Sequence, residues 1–383
     1  MSNCIRVAIV GVGNCCSSLI QGLNYYDNNN KHHDGLVRKE ISGYGVKDVE
    51  IVTAIDVDER KINRPLSQAI FSPPNCTTVF QKQIKENCKV LKGPFFDSIS
   101  NHMNFYNDEC NHSLEEVFNV NFSEESTLDI KGILKGMNID ILINYLPVGS
   151  QKTTEFYADL CLELGISFLN CIPVFIASNP SWERKFYDAN IPIVGDDMKS
   201  QFGASILSQM LQELALDRGL KVKCHIQDNV GGNTDFLNMM NPDRIKSKKI
   251  SKENVIRFPE KIRNIETDEN SCFIYAGPSQ YIRYYKDNKK ATFRLELEGF
   301  GGSEILFEGN LSVIDSPNSA GVVIDAIRYL KVARDLNLRG SLRGVSAYTQ
   351  KTPPKQMLFK DAKFECDMLS QGKITNIIKQ YNI

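Results

Sequence analysis

The sequence places two carboxylates side by side in residues 195–201, GDDMKSQ. Adjacent carboxylates such as Asp196 and Asp197 repel each other in apolar surroundings, so they tend to bind a cation or raise one another's pKa. The segment follows an apolar run and precedes a helical pattern, so one aspartate could instead only cap the helix. The chemistry open to this pair is therefore cation binding or proton transfer, with helix capping as the alternative.

A second segment combines an aspartate with several lysines. Residues 229–252 read NVGGNTDFLNMMNPDRIKSKKISK and contain Asp235, followed by Lys248 and Lys252. The two lysines are four residues apart, so on a helix they would share a face. Clustered ammonium groups depress one another's pKa and stabilise negative charge that develops on oxygen. The alternative is that this lysine-rich stretch is only a solvated basic face.

A glycine turn near the start of the chain predicts a dinucleotide site. Gly11 and Gly13 follow a β-branched run and precede a helical pattern, which is where a pyrophosphate meets the N-terminus of a helix. The third position of the usual Gly-x-Gly-x-x-Gly motif is Cys16, which loosens the match. A purely structural turn is the alternative. The turn residues that we expect to bind the cofactor are Gly11, Gly13, Asn14 and Cys15.

Further strand ends would complete the cofactor site. Asp56 ends the second predicted strand, where a carboxylate can bind ribose hydroxyls and repel a 2′-phosphate, so NAD is favoured over NADP. Its separation from the glycine turn exceeds the usual ~20 residues, which indicates an insertion between them. A solvated loop aspartate is the alternative. The other residues expected on the cofactor side, from LPVGS and GDDMKSQ, are Leu146, Pro147, Gly149, Ser150, Asp196 and Lys199.

The elements that must position these residues alternate along the chain. Five short apolar runs with amphipathic stretches between them predict an α/β fold, a Rossmann-like doubly wound parallel sheet, over residues 1–200. Residues between about 57 and 138 would form an irregular elaboration. From 201 to 314, a helix, polar loops and alternating stretches that suit antiparallel strands predict an inserted α+β domain. Residues 315–383 begin with an amphipathic helix that would return to the first domain.

Composition argues against several classes of protein. The chain has 383 residues, 42% hydrophobic and 24% charged, which is typical of a globular protein with more than one lobe. A formal net charge of −1 provides no global field for nucleic acid or an anionic membrane. The 11 cysteines are scattered without a CxxC pair, so we expect reduced thiols and a cytoplasmic location. The 5 histidines lack the spacing of a zinc site.

Taken together, the motifs resemble those of the shorter, bacterial-type myo-inositol-1-phosphate synthases in order and spacing. The resemblance rests on NVGGNTDFLNM, SKKISK, GDDMKSQ, LPVGS, DSPNSAG and SAYTQKTPP, and runs from Ile5 to about Pro354. It implies a homotetramer that binds NAD and converts D-glucose 6-phosphate to 1D-myo-inositol 3-phosphate, with the inserted domain serving catalysis and tetramerisation. It also implies a catalytic set, which is Lys248, Lys289, Lys351, Asp197, Asp235 and Asp315.

The implied reaction needs several cationic groups. Oxidation at C5 makes C6 acidic, and enolisation, aldol addition to the C1 aldehyde and reduction then close the ring without net redox change. By the resemblance, Lys248 and Lys351 would transfer protons and stabilise the oxyanion at C5, and Lys289 would serve the C1 oxygen. Asp197 and Asp315 would orient lysines or bind a divalent or monovalent cation. The residues expected to hold the substrate phosphate are Lys252, Ser200 and Gln201.

Three other functions fit the same residues. An NAD-dependent dehydrogenase acting on a polyol phosphate would release NADH. A related sugar-phosphate cyclase would make a different ring, because the shape of the pocket and not the lysine set would choose the substrate. An inactive NAD-binding scaffold is the third alternative, and the intact lysines argue against it.

Overall fold

The computed structural model describes residues 4–28, 33–104, 120, 129–262 and 272–374. The strands in this part of the chain are β1 (Ile5–Val10), β2 (Val49–Asp56), β3 (Val90–Lys92), β4 (Ile141–Asn144), β5 (Ser167–Asn170), β6 (Pro192–Val194), β7 (Lys221–Gly231), β8 (Phe273–Tyr281), β9 (Asn288–Glu298), β10 (Glu304–Ile314) and β11 (Gly340–Ser341). The helices are α1 (Asn14–Asn28), α2 (Leu66–Ala69), α3 (Ile130–Lys135), α4 (Gln151–Leu164), α5 (Pro180–Asp188), α6 (Ala204–Asp217), α7 (Thr234–Asn238), α8 (Pro242–Ile262), α9 (Asp315–Asp335), α10 (Arg343–Thr349) and α11 (Phe359–Leu369). Short 3-10 turns span Val46–Asp48, Asn101–Asn104, Arg283–Tyr285 and Phe300–Gly302.

The first sheet confirms the predicted doubly wound fold. Within the described residues its strand order is β11-β6-β5-β4-β1-β2-β3, and every neighbouring pair is parallel. The order reverses between β1 and β4, and in such sheets ligands bind outside the carboxyl ends of the strands at this point. Because β1 ends at Val10, the glycine turn of Gly11 and Gly13 lies at that edge. Asp56 is the last residue of β2, as predicted.

Helix α9 lies against one face of the first sheet. It packs against α1 and shares the apolar core that covers one face of the sheet. The predicted amphipathic pattern does not describe its centre, because residues 319–330 are buried on every side. The two charged residues of that stretch, Asp325 and Arg328, form an ion pair with each other, so neither charge is buried alone.

The second sheet differs from the predicted antiparallel arrangement. Its order is β10-β9-β7-β8, and β9 is antiparallel to both β10 and β7, but β8 is parallel to β7. The expectation was wrong for β8 because the chain between β7 and β8 contains α7 and α8, and such a crossover connection permits parallel pairing. Apolar residues of α6, α8 and the sheet form a separate core.

Strand β7 was expected to be a polar loop, and this expectation was also wrong. Its residues alternate between buried and more accessible positions over 11 residues. The inward-facing side chains include His225, Gln227 and Asn229, which are all buried. Because these buried residues are polar, β7 lacks the alternation of apolar and polar residues that usually indicates a strand. These polar side chains are hydrogen-bonded inside the domain, which removes most of the cost of burying them.

The predicted irregular region between about 57 and 138 contributes β3 to the edge of the first sheet. Its residues Ile99 and Met103 pack against Leu237 of α7, so part of this region joins the two sheets. Residues 105–119 and 121–128, which include most of the Asn-rich stretch, lie outside the described residues. No helix in the part of the chain that the structure describes is long and apolar enough to cross a membrane.

Candidate active site

A deep cleft lies between the carboxyl edge of the first sheet and the second sheet with α8. The predicted cofactor residues that line it are Gly11, Gly13, Asn14, Cys15, Asp56, Leu146 and Pro147. All of the predicted catalytic residues line the same cleft: Lys248, Lys289, Lys351, Asp197, Asp235 and Asp315. Two of the three predicted phosphate residues, Lys252 and Ser200, also line it. Residues from segments that are distant in sequence therefore line the same cleft.

The glycine turn approaches the neighbouring strand end closely. Gly11 has φ +93°, and a Cβ atom built there would lie 2.5 Å from the carbonyl oxygen of Tyr145. Only glycine fits this position. The Asp56 carboxylate accepts a hydrogen bond from the backbone N–H of Val12 at 2.7 Å, so it lies beside the turn. Cys16, which replaces the third glycine of the motif, is fully buried in the core.

Lys61 is a buried cation at the turn that sequence reasoning missed. Its side chain is 3% exposed and its Nζ donates to the carbonyl oxygen of Val12 at 2.8 Å and to Asn75 Oδ1 at 3.2 Å. Asp56 Oδ2 lies 3.9 Å away. The sequence offered little signal, because Lys61 stands in the region predicted to be irregular. Other residues of that region also line the cofactor side of the cleft: Gly93, Pro94, Ser98, Ile99 and Met103.

Asp197 is the centre of the lysine cluster. Its Oδ1 accepts hydrogen bonds from Lys248 Nζ at 3.1 Å and Lys351 Nζ at 2.9 Å, and its Oδ2 accepts one from Ser251 Oγ at 2.7 Å. Burial raises the pKa of the Asp197 carboxyl, but the two ammonium groups outweigh it and hold that pKa well below its usual range. Asp197 therefore stays ionised and fixes both lysines.

Lys248 and Lys351 share this carboxylate but have different electrostatic surroundings. Burial lowers the pKa of Lys248, but attraction to Asp197 and Asp235 outweighs it and raises that pKa above its usual value. Burial also lowers the pKa of Lys351, and attraction to Asp197 does not compensate for burial and repulsion by Lys248 and Lys289, so it falls to about 8. Lys248 is thus held as a cation, whereas Lys351 can exchange a proton near neutral pH.

Lys289 and Asp315 form a second ion pair in the cleft. Lys289 Nζ donates to Asp315 Oδ1 at 2.7 Å, joining β9 to the start of α9. Burial raises the pKa of Asp315, but attraction to Lys289 outweighs it and lowers that pKa below its usual value. This carboxylate therefore orients an ammonium group toward the space between the two sheets.

Lys252 faces the cleft without an ion-pair partner among the described residues. It is 5% exposed, and no described residue accepts a hydrogen bond from its Nζ. Burial lowers the pKa of Lys252 well below its usual value, and repulsion by Lys289, Lys248 and Lys351 lowers it further. A bound anion would relieve both effects.

The N-terminus of α6 also lines the cleft, and α6 packs against α8, the helix that carries Lys252. Gly203 is the N-cap of α6, and as a glycine it has no side chain with which to cap the helix. Gly203 and Ser205 line the cleft next to Ser200. Free backbone N–H groups at a helix start favour an anion. These two residues were missed from the sequence, although a glycine directly before a helical pattern was the available signal.

Asp196 corrects the expectation that the adjacent aspartates share one site. Its carboxylate accepts hydrogen bonds from Asn170 Nδ2 and from the backbone N–H groups of residues 176–178, and it does not line the cleft. Asp197 and Asp315, the two expected cation ligands, are each paired with a lysine among the described residues. Among the described residues, no three His, Cys, Asp or Glu side chains are grouped to hold a metal.

Four more predicted residues lie near the cleft without lining it. Lys199 Nζ donates to the carbonyl oxygen of Ala347 at 2.7 Å, and burial, followed by repulsion from Lys351, lowers the pKa of Lys199 to about 7. The side chain of Gln201 donates to the carbonyl oxygen of Gly35. The four residues outside the cleft lining are Gly149, Ser150, Lys199 and Gln201.

Comparisons with known proteins match this chain to inositol-phosphate synthases. The family model described as Myo-inositol-1-phosphate synthase matches residues 203–316. Inositol-3-phosphate synthase of Mycolicibacterium smegmatis is 41% identical over 372 residues, which are 96% of this chain and 98% of the relative. Inositol-3-phosphate synthase of Mycobacterium tuberculosis (strain ATCC 25618 / H37Rv) is 42% identical over 355 residues, 92% of each chain.

Among solved structures, a myo-inositol-1-phosphate synthase-related protein from Thermotoga maritima MSB8 superimposes with a TM-score of 0.78. The match covers 97% of this chain and 99% of that chain, at 22% sequence identity. At this identity the likeness shows the shared fold.

Proposed function

Because this chain belongs to the myo-inositol-1-phosphate synthase family, its activity is that of an inositol-3-phosphate synthase, and we propose that it uses NAD to convert D-glucose 6-phosphate to 1D-myo-inositol 3-phosphate. The observation that carries this proposal is the meeting of the glycine turn with the ion pairs of Asp197 and Asp315 in one cleft. A cofactor turn alone would fit a dehydrogenase. A lysine cluster beside it fits a reaction that also forms a carbon–carbon bond.

The residues of the turn fit a dinucleotide. Gly11 permits the close backbone approach at the switch point of the sheet, and the Asp56 carboxylate at the end of β2 would accept hydrogen bonds from ribose hydroxyls. Asn14, Cys15, Leu146 and Pro147 would line the same side. These residues would hold NAD, which when bound would supply reversible hydride transfer at C5 of the sugar. We do not extend this assignment to Gly149, Ser150, Asp196 or Lys199, which lie outside the cleft lining.

The two lysines bound to Asp197 would act at the C5 hydroxyl of the sugar. Lys351 is poised between its neutral and charged forms, so it would accept the proton of the C5 hydroxyl. Lys248, held as a cation by Asp197 and Asp235, would stabilise negative charge on the C5 oxygen during enolisation. Both roles depend on Asp197, which fixes the two ammonium groups through one oxygen atom.

The other two lysines would act at opposite ends of the sugar. Lys289, oriented by Asp315, would stabilise charge on the C1 oxygen when the aldehyde is attacked. Lys252 would bind the substrate phosphate with Ser200 and the N-terminus of α6. Binding of the phosphate would supply the ion-pair partner that Lys252 lacks among the described residues.

A second copy of the chain would cover part of the second sheet. Strand β10 is an edge strand, and Ile305, Leu306 and Phe307 on it are exposed. A long exposed apolar edge is a template for pairing with another chain. This supports the expected homotetramer. The division into domains of residues 1–200, 201–314 and 315–383 belongs to the same proposal, and it is supported by the confinement of the second sheet to residues 221–314.

A cytoplasmic location is also part of the proposal. It is supported by the described cysteines, which are free thiols and therefore suit a reducing compartment. Membrane and nucleic-acid partners are not included, because the near-neutral net charge provides no global attraction to either.

The function is tested by incubating the purified protein with glucose 6-phosphate and NAD and identifying the product by NMR. We expect an inositol monophosphate whose proton couplings match the 1D-myo-inositol 3-phosphate standard. An open-chain oxidised sugar phosphate with equimolar NADH would instead establish a dehydrogenase. A different carbocycle would establish a related cyclase.

A further inference from the structure

Asp287 is a buried carboxylate that lies behind the cleft and takes no direct part in the proposed chemistry. It directly precedes β9, two residues before Lys289, and is 2% exposed. Its side chain does not line the cleft. A buried charge of this kind is costly unless it is well hydrogen-bonded, so its partners show what it holds together.

One set of contacts connects Asp287 to the cofactor turn. Thr77 Oγ1 donates to Asp287 Oδ2 at 2.6 Å and lies 3.1 Å from Ser18 Oγ on α1. The backbone N–H of Thr77 donates to Asn14 Oδ1 at 3.1 Å. Since Asn14 lines the cleft at the start of α1, Thr77 joins the Asp287 carboxylate to the side of the cleft that would bind NAD.

A second set of contacts connects Asp287 to the start of α7. Asn233 Nδ2 donates to Asp287 Oδ1 at 3.0 Å. The other end of the same amide caps α7, because Asn233 Oδ1 accepts hydrogen bonds from the backbone N–H groups of Asp235 and Phe236. The position of Asp235, which attracts Lys248, therefore depends on a residue that Asp287 holds.

A third set connects Asp287 to the start of α9. Ser316 donates to it twice, from Oγ to Oδ1 at 2.9 Å and from the backbone N–H to Oδ2 at 3.2 Å. The backbone N–H of Asp315 also donates to the carbonyl oxygen of Asp287 at 2.9 Å. These bonds fix Asp315 beside its partner Lys289.

We propose that Asp287 is a positioning residue that fixes the cofactor turn relative to Asp235, Asp315 and the lysines that these two aspartates attract. Binding of NAD at one side of the cleft would then favour binding of the sugar phosphate at the other. This inference rests on the proposed function. The side-chain oxygens of Asp287 accept four hydrogen bonds from three segments of the chain. An ionised carboxylate has enough acceptor sites for all four. An asparagine cannot replace it, because in either orientation its amide N–H₂ would face a donor.

The test compares wild type with Asp287→Asn by calorimetric titration of NAD, with and without saturating glucitol 6-phosphate. This probe lacks the C1 aldehyde and cannot cyclise. In wild type we expect the sugar phosphate to tighten NAD binding by a factor in the usual range for coupled sites, about 5- to 150-fold. In Asp287→Asn we expect the factor to fall close to 1 and kcat to decrease. Wild-type coupling and kcat in the variant would overturn the inference.

A second variant keeps the test decisive if Asp287→Asn does not fold. Thr77→Val removes only the hydroxyl that joins Asp287 to the cofactor turn, and the new side chain is close in shape. We expect it to fold with reduced coupling between NAD and glucitol 6-phosphate. Thr77→Val with the coupling of wild type would contradict the inference.

The control is Asp325→Asn, which alters a buried aspartate with 1% exposure in the ion pair with Arg328 on α9. We expect it to lower Tm without changing the coupling factor. If Asp325→Asn lost as much coupling between NAD and glucitol 6-phosphate as Asp287→Asn, reduced stability alone would explain the loss. That result would contradict the inference. Failure of the proposed function is recognised separately, because wild type would then make no inositol phosphate, whereas the calorimetric coupling does not require turnover.

Discussion

Lys248 and Lys252 lie one turn apart on α8 and both line the cleft, yet their pKa values are shifted in opposite directions. Burial lowers the pKa of both ammonium groups. For Lys248, attraction to Asp197 and Asp235 outweighs burial, whereas Lys252 mainly faces other lysines. One helix face therefore carries a permanent cation and, beside it, a cation that is stabilised only when an anion binds.

Lys252→Met should raise the KM for glucose 6-phosphate more than it lowers kcat. The phosphate is charged in the ground state and in the transition state alike, so the lost interaction is uniform binding. Steady-state kinetics check this, and Lys246→Met, an exposed position on the same helix, serves as the control. An unaltered KM with a collapsed kcat would move Lys252 from the phosphate site to the chemical steps.

The same variant also has a prediction that does not require turnover. Removing a buried ammonium group that has no ion-pair partner among the described residues should raise the Tm of the ligand-free protein at pH 7. Inorganic phosphate should raise the Tm of wild type but not that of Lys252→Met. Differential scanning calorimetry checks both shifts, and a phosphate response that survives in the variant would place the anion elsewhere.

Lys289→Ala and Lys351→Ala should each lower kcat by ~10²–10³, because the first removes a donor from a developing oxyanion and the second removes the proton acceptor for the C5 hydroxyl. The fold should persist, because lysine side chains contribute little to apolar packing. Circular dichroism and turnover measurements check the two statements. Lys290→Ala removes the exposed neighbour of Lys289 on β9 and should leave turnover unchanged. Near-wild-type turnover in both cleft variants would remove them from the active site.

The pH dependence of kcat/KM should report Lys351. Its pKa is lowered from 10.5 to about 8, chiefly by burial, so the neutral amine that accepts the C5 proton becomes the main form above about pH 8. The rate should therefore rise as pH increases through that value. Lys351→Arg keeps the charge but cannot release a proton, so it should lose this limb of the profile. A rate that falls across the same interval would favour a purely electrostatic role.

His225 should make the protein sensitive to acid. Burial lowers the pKa of His225 from 6.5 to about 4, and its Nδ1 contacts Gln212 Oε1 at 2.8 Å. The unfolded state binds more protons between these pH values, so stability is lost as pH falls below 6.5, by about 3 kcal/mol at pH 4. His225→Asn keeps a donor toward Gln212 and should lose less stability over this interval. Urea unfolding at several pH values measures the difference, and equal losses would contradict it.

Local patterns along the chain were sufficient for part of the site. The four-residue spacing of Lys248 and Lys252 predicted a shared helix face, and the structure places both in the cleft. Strand β7 escaped prediction because its buried side is polar, so the usual apolar alternation is missing. Asp287 could not be recognised either, since its partners Thr77, Asn233 and Ser316 come together only through the packing of the two sheets.

The neighbouring aspartates illustrate a different limit. Asp196 and Asp197 look equivalent in sequence, but one is bonded to backbone N–H groups behind the cleft and the other to lysines inside it. The backbone of Asp197 has φ +62°, a conformation that non-glycine residues rarely adopt. Periodicity cannot reveal such a local turn, so the pair was expected to act together.

The hydrogen atom at C5 provides the most direct test of the proposed redox-neutral cyclisation. Glucose 6-phosphate carrying deuterium at C5 is incubated with the protein and NAD, and the product is examined by NMR and mass spectrometry while NADH is monitored. Because the hydride would be returned in the same cleft, we expect inositol phosphate that retains the deuterium, with no stoichiometric NADH. Loss of the deuterium from the product, or NADH equal to the substrate consumed, would contradict the proposed redox-neutral cyclisation.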